Sequence, residues 1–348
     1  MGALASGLEG VVVAETRLSD VDGEAGRLIV AGESIEKLAG TVSFETVFGR
    51  LMDEAAPDFG PYRARAWELV PKLHDVFLMR NGMDALRASV GRLDSEDPLF
   101  VTAATAVFAA AWSRTSRALE PIAPDASLGH AADYVRMLGS PASDPGGEDK
   151  ARAVDAYLVT VSDHGMNAST FTARVIASTG SDLVSSVTGA IGALKGPLHG
   201  GAPGPVLDML DAIGAPENAD AWIRAELDAG RRIMGMGHRI YRVRDPRAAV
   251  LEREMQKLER AGIASDRLAL ARATERAAEH ILAERHPDRP LRANVEFYTA
   301  VLLEAAGIPR PAFSPTFAVS RVAGWCAHVS EQRKTGRLIR PASRYVGP

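Results

Sequence analysis

A single cysteine, Cys326, stands in 348 residues, so no internal disulfide can form and the chain suits a reducing compartment. Charge of one sign is also scarce: 40 Lys and Arg against 44 Asp and Glu leave a net charge of −4. That balance argues against a nucleic-acid footprint or a polybasic membrane surface. No long hydrophobic run is present. The most apolar stretch, LFVTAATAVFAAAW at 99–112, falls short of the ~20 residues that span a bilayer and reads as a buried helix. The first twenty residues, MGALASGLEGVVVAETRLSD, lack a basic segment followed by a long apolar one. A cytoplasmic, soluble protein with no membrane and no nucleic-acid partner is expected. Motifs of common chemistry are missing too. No GxxxxGK[ST] occurs, GMGHRI does not complete a GxGxxG, and no GxSxG elbow appears. Neither a C-x-x-C nor a histidine pair at i, i+4 is found, so no metal site is expected.

What is present is helical punctuation around an ordinary globular composition, 46% hydrophobic. DPRAAVLEREMQKLERAG places Asp245 at an N-cap, Pro246 at the first helical position and Gly262 past the end. SPTFAVSRVAGWCAHVSEQRK repeats the pattern with Ser314 and Pro315. SDRLALARATERAAEHILAE and GMNASTFTARVIASTG read as two more helices, the second closed by Gly180. Strand signals are few: GVVVAET (10–16) and GRLIVAG (26–32) predict a small hairpin around SDVDGEAG. GSPASDPGGEDK (139–150) and APENAD (215–220) read as polar loops. The class is all-α, mainly helical, with a small β element near the N-terminus.

Three histidines occupy unusual local settings: His164 in SDHGMN, His199 in GALKGPLHGGAPG and His238 in GMGHRIYRVRDPR. Flanking glycines let backbone approach a ligand closely. Histidine titrates near neutrality, so three together suit proton transfer or donation to a carbonyl oxygen; taken singly, each reads more readily as a structural histidine. Arg321 interrupts an otherwise apolar helix, where a buried guanidinium must be paired or bind an anion. Arg247 lies in the first turn of its helix, where the dipole gives a cation nothing. An internal ion pair for Arg321 and a surface charge for Arg247 are the plain alternatives. Arginine forks match carboxylates, so several aimed at one place suit a di- or tricarboxylate. Glu296, in the first turn of a helix capped by Asn294, is ordinary dipole compensation, yet the same field favours the ionised form that a general base needs.

In order along the chain, GLEGVVVAETRLSDVDGEAGRLIVAG, DHGMNASTFTARVIASTGSDLVSSVTGAIGALKGPLHGGA, GMGHRIYRVRDPRA and NVEFYTAVLL…SPTFAVSRVAGWCAHVSEQ…RLIRPASRY resemble the citrate synthase family of the shorter bacterial type. The resemblance implies an almost all-helical homodimer with a two-domain fold. Residues 1–200 and 308–348 would form the large domain and 201–307 the small, CoA-side domain, with the active site in the cleft between them. The implied acyltransferase reaction, that of the tricarboxylic acid cycle, condenses acetyl-CoA with oxaloacetate and hydrolyses the citryl thioester. It needs no metal and no tightly bound cofactor, coenzyme A entering as the thioester co-substrate. By position, His199 would stabilise the enol or enolate, His238 would polarise the ketone of oxaloacetate, and Glu296 would remove the methyl proton. His164, Arg247 and Arg321 match the oxaloacetate-binding set, and Arg340 matches an arginine supplied by the neighbouring subunit. The backbone of Gly235, Met236 and Gly237 would lie against the CoA adenine, with Arg292 and Arg289 candidates for its phosphates.

One position departs from the pattern. The family's usual base is an aspartate in NVD, whereas this chain reads NVE. An added methylene moves a carboxylate by roughly 1 Å, a displacement that can cost ~100-fold in rate. Either the backbone compensates, or the pocket suits another acyl-CoA such as propionyl-CoA (a 2-methylcitrate synthase), or the chain is a non-catalytic paralogue that binds CoA or dicarboxylates. Both carbonyl-polarising histidines are present, which a binding relic has no need of.

Overall fold

A computed structural model describes residues 6–8, 10–139, 146–200, 203–238, 240–287 and 291–347. Among them are sixteen α-helices and one antiparallel sheet of strand order β1 (Ser19–Asp22), β2 (Arg27–Val30) and β3 (Glu33–Ser34). The apolar run at 99–112 lies inside helix Pro98–Thr115, buried on nearly every face; a helix apolar all round has no face to give to water. Against it packs the 23-residue helix Phe313–Thr335, which also packs on Ala168–Ser178 and Leu183–Leu194. Trp112 and Trp325 fill this centre. Helix Pro246–Arg260 lies across Val295–Ala305 and Gly147–Val161, bringing the later third of the chain against the earlier part. No helix among the described residues is long and apolar enough to cross a membrane.

The helix ends follow local chemistry. Asp245, Asn294 and Asn167 cap their helices by accepting from backbone N–H groups of the first turn. Gly180 and Gly262 take left-handed φ values just past theirs. Elsewhere the expectations need correction. The first strand is Ser19–Asp22, inside the stretch read as a turn, and 10–16 is not a strand. Pairing of Ser19 with Val30 leaves only 23–26 for the turn, while Val12 faces outward. The last long helix starts at Phe313, one residue before Ser314, led in by the 3-10 turn Arg310–Ala312 without a side-chain cap. Residues 147–150 already belong to helix Gly147–Val161, and Pro216–Asn218 is a 3-10 turn into the next helix. Residues 140–145 lie outside the described residues.

Candidate active site

His164, His199, His238, Arg247, Glu296 and Arg321 all line one cavity of about 830 Å³. They arrive from five separate segments. His199 sits in the turn that ends helix Leu183–Leu194, its N–H and that of Gly200 both donating to the Gly196 carbonyl. A side chain at Gly200 would run into the Leu194 backbone, so the glycine lets this turn fold flat against the helix end. His164 lies in a loop whose Gly165 N–H donates to the Ser19 hydroxyl at 2.8 Å, tying the site to β1.

Hydrogen bonds fix the imidazole protons. The Ser169 N–H donates to His199 Nε2 at 3.2 Å, with the Ser169 hydroxyl 2.8 Å from the same nitrogen. Nε2 is therefore the acceptor, and Nδ1–H is the donor left over. Trp325 Nε1 holds the Ser169 hydroxyl in turn at 3.1 Å. At His238 the arrangement is reversed: Nδ1 accepts from the N–H groups of Ile240 and Tyr241 at 3.0 and 3.1 Å, so Nε2 carries the proton. Arg247 Nη2 lies 3.3 Å from that Nε2. Two donors that close have converged on one spot, an arrangement that needs an acceptor between or before them.

Electrostatics keep these rings neutral. Burial, aided by Arg321, pushes the His199 pKa down to about 4. Burial, with Arg247 adding and Asp245 opposing, does the same at His238, again to about 4. Burial and then Arg247, Arg321 and His238 hold His164 well below its usual range. Glu296 moves the other way: burial raises its carboxyl to about 7, with Arg247 lowering and Asp245 raising it. Near neutral pH the cavity thus holds neutral imidazole donors and a carboxylate poised between its two forms.

Two arginines supply the cationic wall. Arg247 is buried and grips Asp245 two-pronged at 3.0 and 2.8 Å. Asp245 holds it while capping the helix, and also accepts from the Val295 N–H at 3.2 Å, one residue from Glu296. Arg321 is 1% exposed and donates from Nε to the Val161 carbonyl at 2.7 Å. Its Nη2 is buried without a hydrogen-bond partner, and burial pushes its pKa down to about 10. Neither plain alternative holds: Arg247 is no surface charge, and Arg321 has no ion pair among the described residues. An unsatisfied guanidinium nitrogen in a cavity wall is costly unless an anion completes it.

The remaining candidates stand apart from this cavity. Gly237 lines it, whereas Gly235 and Met236 lie behind, bonded to the Arg292–Asn294 segment through Asn294 N–H to the Gly235 carbonyl and Gly237 N–H to the Arg292 carbonyl. Gly235 has a φ of +73° and faces the Phe297 ring, so only glycine fits there. Arg292 projects toward solvent and pairs with Glu279 at 2.6 Å. Arg340 is exposed, on the extended tail beyond Thr335, and does not line this chain's cavity. Arg289 lies outside the described residues. Sequence reasoning overlooked Ser169, Asp163 and Tyr241. Tyr241 alone carried a signal, as the one aromatic in GMGHRIYRVRDPR. No group of three or more His, Cys, Asp or Glu among the described residues is arranged to hold a metal ion.

Comparison with known proteins matches residues 7–342 to the family described as "Citrate synthase, C-terminal domain". The chain belongs to the citrate synthase family. It is an enzyme of the citrate synthase type. Citrate synthase of Haloferax volcanii is 39% identical, over 99% of this chain and 96% of that protein. The 2-methylcitrate synthase of Mycobacterium tuberculosis is 35% identical, over 98% and 90%. Among solved structures, citrate synthase from Thermotoga maritima superposes with a TM-score of 0.84 at 33% identity, covering 99% of this chain and 96% of that one. The citrate synthase fold accounts for the helical architecture and for the small sheet near the N-terminus.

Proposed function

We propose that this cavity condenses acetyl-CoA with oxaloacetate and then hydrolyses the resulting thioester to citrate and CoA. The observation that carries this reading is the Glu296 carboxylate, raised to about 7 and sharing one cavity with two neutral histidines whose donor nitrogens are fixed. Glu296 takes a proton from the methyl group of acetyl-CoA, and the electron pair left behind forms the enolate. Negative charge gathering on the thioester oxygen is met by His199 Nδ1–H, a preorganised donor of the oxyanion-hole kind. The enolate carbon attacks the ketone of oxaloacetate, whose oxygen takes the proton of His238 Nε2 as it becomes an alcohol. Arg247, Arg321 and His164 hold the carboxylates, Arg321 Nη2 being the donor that gains a partner. Water finally cleaves the thioester.

In this reading the chain has two domains, 1–200 with 308–348 and 201–307, and a cytoplasmic place in the tricarboxylic acid cycle. His164, His199 and Arg321 come from the first domain, His238, Arg247 and Glu296 from the second, so closure assembles the site and excludes water. The Gly235–Gly237 backbone receives the adenine of CoA, and Arg292 leaves Glu279 for a phosphate. The active unit is a homodimer in which Arg340 completes the oxaloacetate site of the neighbouring subunit.

Release of free thiol tests the proposal. Purified protein is given oxaloacetate with acetyl-CoA and, in a parallel arm, with propionyl-CoA. Release with acetyl-CoA supports the condensation; faster release with propionyl-CoA reassigns the acyl donor; none with either overturns the enzymatic reading. Glu296→Gln is expected to lower kcat at least ~100-fold while oxaloacetate affinity holds. A fully active variant would remove Glu296 from the role of base.

A further inference from the structure

Tyr241 is buried, 4% exposed, and lies between the two histidines that face oxaloacetate in the reading above. Its hydroxyl is 3.1 Å from His164 Nε2. Its backbone N–H donates to His238 Nδ1 at 3.1 Å. The phenol ring lies with its centre 4.8 Å from that of His238 and 5.7 Å from that of His164, and the Arg247 guanidinium sits 5.9 Å from the same ring centre. One residue thus touches both imidazoles and the arginine beside them.

We propose that Tyr241 is a positioning residue that sets the proton on both histidines, through its hydroxyl at His164 and its backbone N–H at His238. The direction of the hydroxyl bond follows from counting donors. Among the described residues, His164 is the one hydrogen-bond partner of the Tyr241 hydroxyl. If His164 Nε2 carried the proton, the phenol would accept it and its own proton would have no acceptor in a buried place. With the phenol as donor, every hydrogen is used: Nε2 accepts and His164 keeps its proton on Nδ1. Burial raises the phenol pKa and lowers that of His164, which keeps the hydrogen on oxygen and the ring neutral. The two histidines are thereby held in opposite tautomers, Nδ1–H at His164 and Nε2–H at His238, by the hydroxyl and the backbone N–H of a single residue, the latter acting together with the Ile240 N–H. A phenylalanine would preserve the shape and the His238 contact, and would release only His164.

The assignment of these histidines to oxaloacetate rests on the proposed function, so the test separates the two. Nitrogen-15 NMR of the full chain labelled at histidine, without ligand, reads the tautomers directly, with His164 assigned by the signal lost in His164→Gln. The wild type is expected to show a protonated Nδ1 and a hydrogen-bonded, unprotonated Nε2 at His164. In Tyr241→Phe that Nε2 signal moves toward the free-imidazole value and a mixture of tautomers appears, while the His238 signals stay. Oxaloacetate affinity by calorimetry and its KM weaken by roughly 3- to 10-fold, the worth of one hydrogen bond, and the KM for acyl-CoA does not move. A wild-type His164 protonated on Nε2 or a spectrum unchanged by Tyr241→Phe overturns the proposal, whereas a changed spectrum with unaltered oxaloacetate affinity supports it and falls instead on the assignment of His164 to oxaloacetate. Because the wild-type spectrum alone can overturn it, a variant that fails to fold does not shield it. Absence of thiol release would instead fall on the proposed reaction and leave the ring spectrum to decide Tyr241.

Discussion

In the proposed reaction, the burial that penalises the Glu296 charge is what makes the residue useful. A carboxylate able to take a proton from carbon must be basic, and burial supplies that basicity by penalising the charge. The folded chain therefore binds this proton more tightly than the unfolded chain, at about 7 against 4.5. Between those values stability falls as pH rises, and above 7 the loss is complete. His199 and His238 run oppositely: held near 4 against 6.5, they cost stability as pH falls through that window. Replacing Glu296 by Gln removes only the first effect. The variant is expected to be more stable than wild type at pH 8 by about 2–3 kcal/mol and close to it at pH 5, measured by urea unfolding. Equal stability at pH 8 would show that the carboxylate is not penalised by its surroundings. Arg321 and His199 were legible in the sequence because each breaks its local pattern, an arginine in an apolar helix and a histidine among glycines, whereas Glu296 stood out only through the family resemblance. Ser169 and Asp163 break no pattern, and Tyr241 stands out only as the one aromatic in GMGHRIYRVRDPR. Their importance comes from the partner they meet across the fold, and no local signal carries that.

The helix ends at Asp245 and Asn294 were legible for the same local reason: a cap is a bond within three or four residues, and both make theirs, whereas the start read at Ser314 falls at Phe313, where no side chain caps. The hairpin was misplaced because its apolar run at 10–16 is spent elsewhere, with Val11 and Val13 lining the candidate cavity instead of pairing. How helices press on one another was not readable at all. Helix Phe313–Thr335 carries Arg321, and one turn on, Gly324 lies so close to the loop before His164 that an added Cβ would meet the Ser162 carbonyl and the Asp163 carboxylate. That carboxylate is itself held by Ser19 at 2.5 Å and by His328 at 3.2 Å. Neither side can yield cheaply. Gly324→Ala is therefore expected to destabilise the protein by about 1–3 kcal/mol. It should also weaken oxaloacetate binding, since it moves Arg321 and His164 apart. Calorimetry checks both, and an alanine variant with wild-type affinity would show that the spacing of these two elements does not set the site.

At the scale of the whole molecule, Arg340 stands outside its own chain's cavity. The tail that bears it is anchored by Ile339 N–H to the Ser178 hydroxyl at 3.1 Å. From there it runs along the surface with Leu338, Tyr345 and Val346 exposed. Either Arg340 has no part in the reaction or it acts in a second copy of the chain, and mixing inactive variants distinguishes these. Arg340→Ala lacks the arginine, and Glu296→Gln lacks the proposed base. If each site takes its base from one chain and its arginine from the other, a mixed dimer contains one site with both groups intact. The other site lacks both. Unfolding and refolding the two variants together in equal amounts should place half the dimers in the mixed form and restore ~25% of wild-type activity from two nearly inactive preparations. If Arg340 served its own chain, every site in every dimer would lack one group, and mixing would restore nothing. Full activity of Arg340→Ala alone would remove the residue from the reaction altogether. Recovery of activity requires physical exchange of chains, so the same mixture without refolding should stay inactive. That control ties the result to the assembly of two chains around one site.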